Sequence, residues 1–385
     1  MTRILVIGGG IAGTASALAL HKAGFEAVVY EAHPDAAEDI GAFLTLASNG
    51  MRALGQLGAT DAVTAIGFPL TALRLLDESG KEAAHAPMGE ADDPRLRFRC
   101  LRRGELNTAL QAEAARRGIA VRHGARLARI ENGPDAVTAH FADGSAATGD
   151  LLLGADGLNS AVREAIAPDG RPGHAGQRVF YGYTRDVAPS GASDCITMVR
   201  GSSVAFGFAT SPEGETYWFA RVADGPLTAR EIAEGTAADW RDRLLPLLRA
   251  DATPCAGIVE ATGDRLMVTD ATELPLGMPW RSGRALLIGD AAHAASPATG
   301  QGASMALEDA VILAKCLRDV PGTDTALAHY ESLRRERVEH NIATSGALSR
   351  GTYAPSDSAG RPAGKTRPGE DALAGQLDWE SDIRG

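Results

Sequence analysis

The chain has 385 residues, of which 44% are hydrophobic and 23% are charged, and its formal net charge is −11. This length predicts two domains, and the composition is typical of a soluble globular protein with a sizeable core. The negative charge argues against nucleic acid and anionic membrane surfaces as partners, and no apolar run is long enough to span a membrane.

The four cysteines stand far apart in the sequence, with no CxxC pair and no Cys/His cluster. This pattern predicts reduced thiols, a cytoplasmic location and no metal site. The apolar amino terminus is not expected to be a signal peptide, because glycines interrupt it and no basic segment precedes it.

The amino-terminal stretch is the strongest signal in the sequence. An apolar run from Ile4 to Ile7 predicts a strand buried in a parallel sheet. The glycine motif Gly8-x-Gly10-x-x-Gly13 follows it and opens an Ala/Leu-rich helix. A second strand then ends at Glu31, so strand, turn, helix, strand and acid follow one another in the order of a dinucleotide-binding unit.

The spacing of these glycines fits the binding of a pyrophosphate. Gly8 allows a tight turn after the strand, Gly10 lets a phosphate approach the backbone, and Gly13 lets helix and strand pack closely. The helix amino terminus offers free N–H groups to the phosphates, and Glu31 would accept hydrogen bonds from ribose hydroxyls. We therefore expect an adenine dinucleotide here, the alternative being a structural turn with a solvated Glu31.

The next part of the chain departs from this pattern. Residues 47–57 have helical spacing with Ser48 as a possible N-cap, and residues 71–86 have the period of a β-hairpin. A further helix is expected over residues 107–117, and Asp143-Gly144 is typical of a hairpin turn. A buried strand then ends at Asp156, which is either at a ligand-binding sheet edge or a helix cap.

Residues 175–275 alternate short aromatic or β-branched runs with turn residues, which predicts an antiparallel sheet. Two pairs of aromatic residues each lie on one face of their strand, Phe206 with Phe208 and Tyr217 with Phe219. They could form either an ordinary sheet-to-helix core or an apolar wall for a flat substrate.

A second buried strand that ends in an acid lies at residues 284–290. Its Asp290 could accept a hydrogen bond from a ribose or ribityl hydroxyl. A loop containing Pro297, Gly300 and Gln301 leads to a long helix, whose first residues Gly302, Ala303 and Ser304 offer free N–H groups to a negative charge. His293 is expected to be structural rather than a base.

The carboxy-terminal part is expected to contribute little to the site. Residues 324–349 predict a helix whose charges, including Arg334, form a solvated face. Residues 350–385 are rich in Gly, Pro, Ser and charge and predict a poorly ordered tail, in which Leu377-Asp378-Trp379 could dock on the protein.

Three motifs together resemble the fingerprints of the FAD-dependent aromatic hydroxylases, single-component flavin monooxygenases of the para-hydroxybenzoate hydroxylase type. They are the first glycine motif with Glu31, the segment Asp156-Gly157-x-x-Ser160-x-x-Arg163, and Gly289-Asp290-Ala291-Ala292-His293 with Pro297-x-x-Gly300-Gln301-Gly302. Arg103-Gly104-Glu105-Leu106 also resembles a family segment whose arginine contacts the flavin. The resemblance covers about residues 1–345.

This resemblance implies an α/β fold: a Rossmann-like FAD-binding domain, an inserted antiparallel-sheet substrate domain and a C-terminal helix. The FAD-binding domain would comprise residues 1–70, 98–174 and 276–349. The substrate-binding domain would comprise residues 71–97 and 175–275, and a flexible tail residues 350–385.

The resemblance also implies which residues bind. The expected FAD-binding residues are Gly8, Gly10, Ala12, Gly13, Glu31, Ala32, Thr45, Arg103, Leu127, Asp156, Asp290, Gly300, Gln301, Gly302, Ala303 and Ser304. The expected substrate-binding residues are Phe206, Phe208, Tyr217, Phe219 and Pro297.

The chain departs from the family in several places. Ser304 stands where the family often has Asn, and Ala32 where it often has Arg or Lys. No arginine lies on the strand near Val204, where relatives that hydroxylate urate would place one, so urate is not expected as the substrate.

The implied activity is that of an FAD-dependent monooxygenase. NADH or NADPH, bound transiently, would reduce the flavin, and a flavin C4a-hydroperoxide would hydroxylate or epoxidise a hydrophobic small molecule, which we expect to be aromatic. The alternatives are a flavin oxidase, dehydrogenase or reductase on the same fold, an NAD-dependent dehydrogenase that uses only the first motif, and a non-catalytic FAD-binding module. We expect a monomer or homodimer with no nucleic-acid or membrane partner.

Overall fold

The computed structural model describes residues 2–35, 42–189, 191–352 and 370–384. The strands, in chain order, are β1 (Arg3–Ile7), β2 (Glu26–Tyr30), β3 (Phe43–Leu46), β4 (Phe68–Leu70), β5 (Ala72–Leu76), β6 (Glu82–Pro87), β7 (Phe98–Arg102), β8 (Ala120–Arg122), β9 (Leu127–Asn132), β10 (Val137–Phe141), β11 (Ala146–Gly149), β12 (Leu151–Gly154), β13 (Gly173–Thr184), β14 (Cys195–Arg200), β15 (Val204–Thr210), β16 (Thr216–Ala223), β17 (Leu266–Glu273), β18 (Arg281–Ser282) and β19 (Ala285–Leu287).

The helices are α1 (Ile11–Lys22), α2 (Ser48–Leu57), α3 (Thr60–Thr64), α4 (Arg103–Arg116), α5 (Ala161–Ile166), α6 (Ala229–Glu234), α7 (Ala237–Leu248), α8 (Cys255–Glu260), α9 (Asp290–His293), α10 (Gly302–Asp319), α11 (Thr323–Ser349) and α12 (Glu370–Leu377). A 3₁₀ turn covers Pro297–Thr299. Within the described ranges, no helix combines the length and the apolar character that a bilayer crossing requires.

The first sheet has the order β18-β19-β12-β1-β2-β8, and β1 pairs in parallel with both β2 and β12. Because its central strands are buried on both faces, β1 and β12 consist almost entirely of Ile, Leu and Val. Helix α10 packs against α1, α2 and α11 on this sheet. The carboxyl ends of β1, β12 and β19 therefore meet at one edge, which is where open α/β sheets bind ligands.

The second sheet has seven strands in the order β17-β13-β16-β15-β14-β5-β6. The hairpin β5–β6 comes from the early part of the chain and joins this sheet through parallel pairing of β5 with β14. Helices α7 and α8 cover one face, where they enclose a core with Phe206, Trp218 and Trp240. The opposite face is turned towards the first sheet.

These observations confirm the predicted α/β fold, with a mainly parallel Rossmann-like sheet and a second sheet that is antiparallel except where β5 pairs with β14. The hairpin at residues 71–86 is present, although the N-cap of α2 is Ala47, and the Ser48 hydroxyl instead accepts a hydrogen bond from the Glu90 N–H at 3.1 Å. The domain boundaries given above remain a prediction.

The end of the chain docks at residues 377–379, as predicted, but the docked segment is longer than expected and covers residues 370–384. Residues 370–384 dock through the buried side chains of Leu373, Leu377, Trp379 and Ile383, while the preceding residues 353–369 lie outside the described part. The Lys315 ammonium donates hydrogen bonds to the Gln376 carbonyl at 2.8 Å and to the Asp378 carbonyl. This segment is thus held in place by four buried apolar side chains and by a buried lysine, although its composition predicts disorder.

Candidate functional site

One elongated cavity of about 900 Å³ runs between the two sheets. Its first end is lined by the glycine loop after β1, its middle by Asp290 and the loop before α10, and its second end by the second sheet. The expected cofactor residues that line it are Gly8, Gly10, Ala12, Glu31, Ala32, Thr45, Arg103, Leu127, Asp156, Asp290, Gly300, Gly302 and Ala303.

The glycine loop has the geometry that its spacing predicts. Gly8 has a φ of +104°, and a Cβ there would lie 2.9 Å from the Cα of Asp156. A Cβ on Gly10 would meet no atom within 4 Å, so this position faces open space in the cavity. Gly13 does not line the cavity; a Cβ there would lie 1.9 Å from the Gly8 carbonyl oxygen, so glycine permits the close helix–strand packing.

Glu31 closes this first end of the cavity. Its carboxylate accepts hydrogen bonds from the Gly9 N–H at 2.5 Å and from the His33 N–H at 2.7 Å. The Gln111 side chain donates to the Gly9 carbonyl at 2.7 Å and so holds the loop from the other side. Two backbone donors fix the orientation of the carboxylate, and each oxygen keeps lone pairs for a ligand hydroxyl.

The second motif lies against the first. Asp156 lines the cavity, and its carboxylate also accepts hydrogen bonds from the Ser160 hydroxyl and the Val162 N–H. Burial raises the pKa of Asp156, and the hydrogen bond from Ser160 partly offsets that effect. Arg163 is buried and donates to the backbone carbonyls of Gly170 and Leu158, so this arginine braces the loop.

Asp290 stands in the middle of the cavity, opposite Arg103, and their charged groups are 3.7 Å apart. The preceding Gly289 has a φ of +57°, and a Cβ there would lie 2.6 Å from the Cβ of Ala12. The third motif therefore touches the first through Ala12, as the second does through Gly8. Three segments that are distant in sequence form one continuous wall.

The amino terminus of α10 completes this wall. Gly300 adopts a left-handed conformation with a φ of +65°, and Gly302 and Ala303 line the cavity. Gln301 and Ser304 point away from it. The Gln301 side-chain oxygen accepts from Asn49 at 3.1 Å, and the buried Ser304 hydroxyl accepts from the Ala47 N–H at 3.1 Å.

A charge cluster behind the cavity was not expected from the sequence; it consists of the buried residues His293, Glu308, Asp309 and Arg334 and of the partly exposed Arg337. Asp309 accepts hydrogen bonds from the Gly289 N–H at 3.0 Å, the Arg334 Nε at 2.8 Å and the His293 ring. Arg334 also donates to Glu308 at 2.7 Å. The cluster thus ties the Asp290 loop to α10 and α11.

Arg334 corrects the expectation of a fully solvated face on α11, since its side chain is 0% exposed. His293 is buried against Asp309 and does not line the cavity, in agreement with a structural role. Burial by itself would raise the pKa of Asp309, but the charges of His293 and Arg334 outweigh this effect and hold that pKa below its usual value.

The second end of the cavity is formed by the uncovered face of the seven-stranded sheet. Phe219 and Pro297 line it as expected. Phe206 and Phe208 do not, because they pack with Trp218 in the core beneath α7 and α8, and Tyr217 lies in a separate cluster against Phe43 and Tyr183. The lining residues that the sequence analysis missed are Leu73, Met88, Phe98, Val179, Tyr181, Ile196, Met198 and Arg221.

Strand register explains which aromatic residues reach the cavity. Phe208 lies opposite Trp218, and Phe206 opposite Ala220, so these side chains share the helix-covered face. Phe219 lies opposite Tyr181 on the other face. The alternation of side chains along a strand shows which residues share a face of the sheet. It does not show which of the two faces the helices cover.

Comparison with known proteins agrees with this geometry. The sequence profile of the family described as "FAD binding domain" matches residues 1–345. The aurachin C monooxygenase/isomerase of Stigmatella aurantiaca is 34% identical over 345 residues, which cover 89% of this chain and 87% of the relative. The 3-amino-4-hydroxybenzoate 2-monooxygenase of Streptomyces cremeus is 32% identical, with coverage of 87% and 84%.

A solved structure shows the same overall arrangement. Klebsiella pneumoniae HpxO in complex with FAD and uric acid superposes with a TM-score of 0.82 at 26% identity. The alignment covers 100% of this chain and 94% of that one.

Proposed function

Because the chain belongs to the FAD-binding family of aromatic-type monooxygenases and is an FAD-dependent monooxygenase, we propose that its cavity holds FAD along the three motifs and an aromatic substrate against the second sheet. A single observation carries this proposal. The three glycine-and-acid segments and the uncovered sheet face line one continuous cavity of about 900 Å³.

The residues of the cavity fit FAD. The open space in front of Gly10 leaves room for a pyrophosphate at the amino terminus of α1, where free N–H groups attract negative charge. Glu31, already oriented by two backbone donors, would accept the ribose hydroxyls. Ala32 and Leu127 line the same end and would flank the adenine.

In the middle of the cavity, Asp290 and Arg103 would position the central part of the cofactor. Asp290 offers carboxylate oxygens to ribityl hydroxyls, while Arg103 balances its charge at 3.7 Å. Thr45 lies on the opposite wall, close to Gly300. Gln301 and Ser304 would contribute through their backbone, because their side chains bond to other parts of the protein.

FAD, when bound, accepts hydride from NADH or NADPH and activates O₂ for insertion into the substrate. The amino terminus of α10 would stabilise negative charge on the bound ring system through the N–H groups of Gly302 and Ala303. An 18-residue helix supplies a full helix dipole, which would contribute about 1–2 kcal/mol in a partly buried site.

The second end of the cavity would hold the substrate. Phe219, Tyr181, Met198, Ile196 and Leu73 form an apolar surface that suits an aromatic ring and excludes water from the reaction. Burial raises the pKa of Tyr181 to about 12, so its hydroxyl stays protonated at neutral pH and can donate a hydrogen bond.

The proposal is tested by isotope labelling. FAD-loaded protein is incubated under ¹⁸O₂ with NADH or NADPH and a panel of phenols and bicyclic aromatic compounds. We expect at least one compound to stimulate NAD(P)H consumption and to acquire one ¹⁸O atom. NAD(P)H consumption that yields only hydrogen peroxide across the panel would show an oxidase instead.

A further inference from the structure

Arg102 connects the cofactor part of the cavity to the second sheet. It is the last residue of β7, and the next residue, Arg103, lines the cavity 3.7 Å from Asp290. The Arg102 side chain instead reaches the second sheet, where its Nη2 donates a hydrogen bond to the Glu215 carboxylate at 2.9 Å. Two consecutive arginines thus contact two different parts of the molecule.

The Arg102 guanidinium also lies over two aromatic rings. It is 4.7 Å from the ring centroid of Tyr183 on β13 and 5.5 Å from that of Tyr217 on β16. These two tyrosines lie opposite each other in the strand register, and their ring centroids are 5.0 Å apart in an edge-to-face arrangement. Because a cation is attracted to aromatic faces, the rings hold the guanidinium at the ends of both strands.

Glu215 is a buried carboxylate that three arginines surround. Its side chain is 5% exposed, and it also accepts hydrogen bonds from Arg265 at 2.8 Å and from Arg185 at 3.3 Å. The side chains of Arg185 and Arg265 are more than half exposed, so water solvates their charges as well. Arg102 is less exposed, and within the described ranges its buried Nε makes no hydrogen bond, so Glu215 carries most of its pairing. We call this set the Arg102 cluster; it consists of Arg102, Tyr183, Glu215 and Tyr217.

The Arg102 cluster lies next to the side chains that line the substrate end of the cavity. Tyr181 and Phe219 oppose each other on the same two strands and on the same face, about 7 Å along the strands from the tyrosine pair of the cluster. Since the backbone of Arg102 continues directly into Arg103, a short chain of contacts joins the two ends of the cavity.

Phe43 adds a second contact at the same place. It lies opposite Arg102 in the pairing of β3 with β7, and it lines the cavity. Its ring centroid is 5.7 Å from that of Tyr217 and 6.1 Å from that of Phe219. Strands β3 and β7 therefore both touch the second sheet beside the proposed substrate position.

We propose that Arg102 and Glu215 are positioning residues, whose ion pair holds the substrate-facing side chains Tyr181 and Phe219 in a fixed place relative to the bound cofactor. This inference rests on the proposed function, because it assumes that FAD lies along Arg103 and the substrate against the second sheet. FAD bound beside Arg103 then orders the ends of β13 and β16 through the Arg102 cluster. Loss of the ion pair breaks this connection while the cofactor site itself remains.

Hydrogen exchange with and without FAD tests the proposal. In wild type, FAD should slow amide exchange about three- to tenfold in α10 and also in residues 179–183 of β13 and 216–220 of β16. In Arg102→Met and Glu215→Gln the effect of FAD on α10 should remain, while its effect on the two strand segments should disappear. Arg102→Lys keeps the positive charge and should retain part of it.

Glu260→Gln is the matched control, because it removes a carboxylate whose ion pair with Arg249 lies at the surface, where the Glu260 side chain is 46% exposed. It should keep the full effect of FAD on both strands. A merely structural role predicts faster exchange in Glu215→Gln by the same factor with and without FAD, and this result would overturn the proposal.

Wild-type protein separates the two levels of inference. If FAD slows exchange in α10 but not in the strand segments, the positioning role is wrong and the cofactor position stands. If FAD slows exchange nowhere, the proposed function fails, and the positioning role fails with it.

The ratio of ¹⁸O-labelled product to NAD(P)H consumed gives a second readout for any aromatic compound that wild type hydroxylates. This ratio should fall about three- to tenfold in Glu215→Gln and stay at the wild-type value in Glu260→Gln. The remaining NAD(P)H would be oxidised with O₂ and a proton to NAD(P)⁺ and hydrogen peroxide. An unchanged ratio in Glu215→Gln would contradict a positioning role, whatever the change in overall rate.

Discussion

At the scale of single residues, two glycines of the first motif have different roles: one allows the backbone turn and the other leaves space for a ligand. Gly8 needs its positive φ and its close approach to Asp156, whereas Gly10 faces open cavity and makes no close contact. A side chain at Gly8 would therefore strain the fold, while one at Gly10 would fill only the space meant for the cofactor. The two glycines allow folding and binding to be separated experimentally.

We expect Gly10→Val to fold normally and to purify without FAD, because the added side chain occupies the position in front of the α1 amino terminus. The measurement is flavin absorbance per protein, together with the melting temperature of the apoprotein. Gly225→Val is the matched control, since a Cβ there also meets no atom within 4 Å and the residue does not line the cavity. Full FAD content in Gly10→Val would contradict the proposed cofactor position.

Single-residue patterns also show what the sequence could predict. The acids Glu31, Asp156 and Asp290 each follow a buried strand, and because parallel strands end at one sheet edge, their convergence could be predicted. The cavity-facing aromatics could not, because period-two alternation leaves the choice of face open until the partner helices are known.

At the scale of elements, α10 depends on the buried charge cluster. Asp309 joins α10 to α11 through Arg334 and to the Asp290 loop through the Gly289 N–H. The sequence of helix α11 is typical of a charged surface helix. Only the packing of α11 against α10 shows that Arg334 is buried. The ion-pair partner of a charged residue depends on tertiary packing and cannot be predicted from the local sequence pattern.

The pH dependence of stability follows from the lowered pKa of Asp309. A depressed pKa in the folded state stabilises the protein above the unfolded pKa of about 4, and this contribution is lost as the pH falls further. Asp309→Asn should therefore cost about 3–5 kcal/mol of unfolding free energy at neutral pH. The variant should also lose less stability than wild type on acidification below about pH 4.

Denaturant unfolding at several pH values measures both effects. Asp92→Asn on an exposed turn is the control, and it should behave as wild type. Parallel acid curves for wild type and Asp309→Asn would show that Asp309 does not carry this dependence.

At the scale of the whole molecule, the docked segment 370–384 packs against α2 and α10. Trp379 is held between two cations, with the Lys22 ammonium 4.3 Å and the Arg318 guanidinium 4.9 Å from its ring centroid. Arg318 also donates to the Trp379 carbonyl at 2.8 Å. The segment thus fastens α1 and α10, the two helices whose amino termini face the cavity.

Trp379→Ala should release this segment without unfolding the protein. We expect faster hydrogen exchange of the amides in residues 370–384 and a smaller increase in α10, with β1 unchanged. Ile232→Ala, which removes an apolar side chain that is 70% exposed, should change none of these rates. Unchanged exchange in residues 370–384 would show that Trp379 does not hold the segment.

The strand order has a consequence for how the protein is made. Strand β1 cannot pair with β12 before residue 151 has been translated. Likewise, β5 cannot pair with β14 before residue 195 has been translated. Helix α10, which begins at residue 302, completes the cavity later still. Because both sheets interleave along the chain, a nascent polypeptide cannot finish either one early, and the cavity is complete only once α10 has been made.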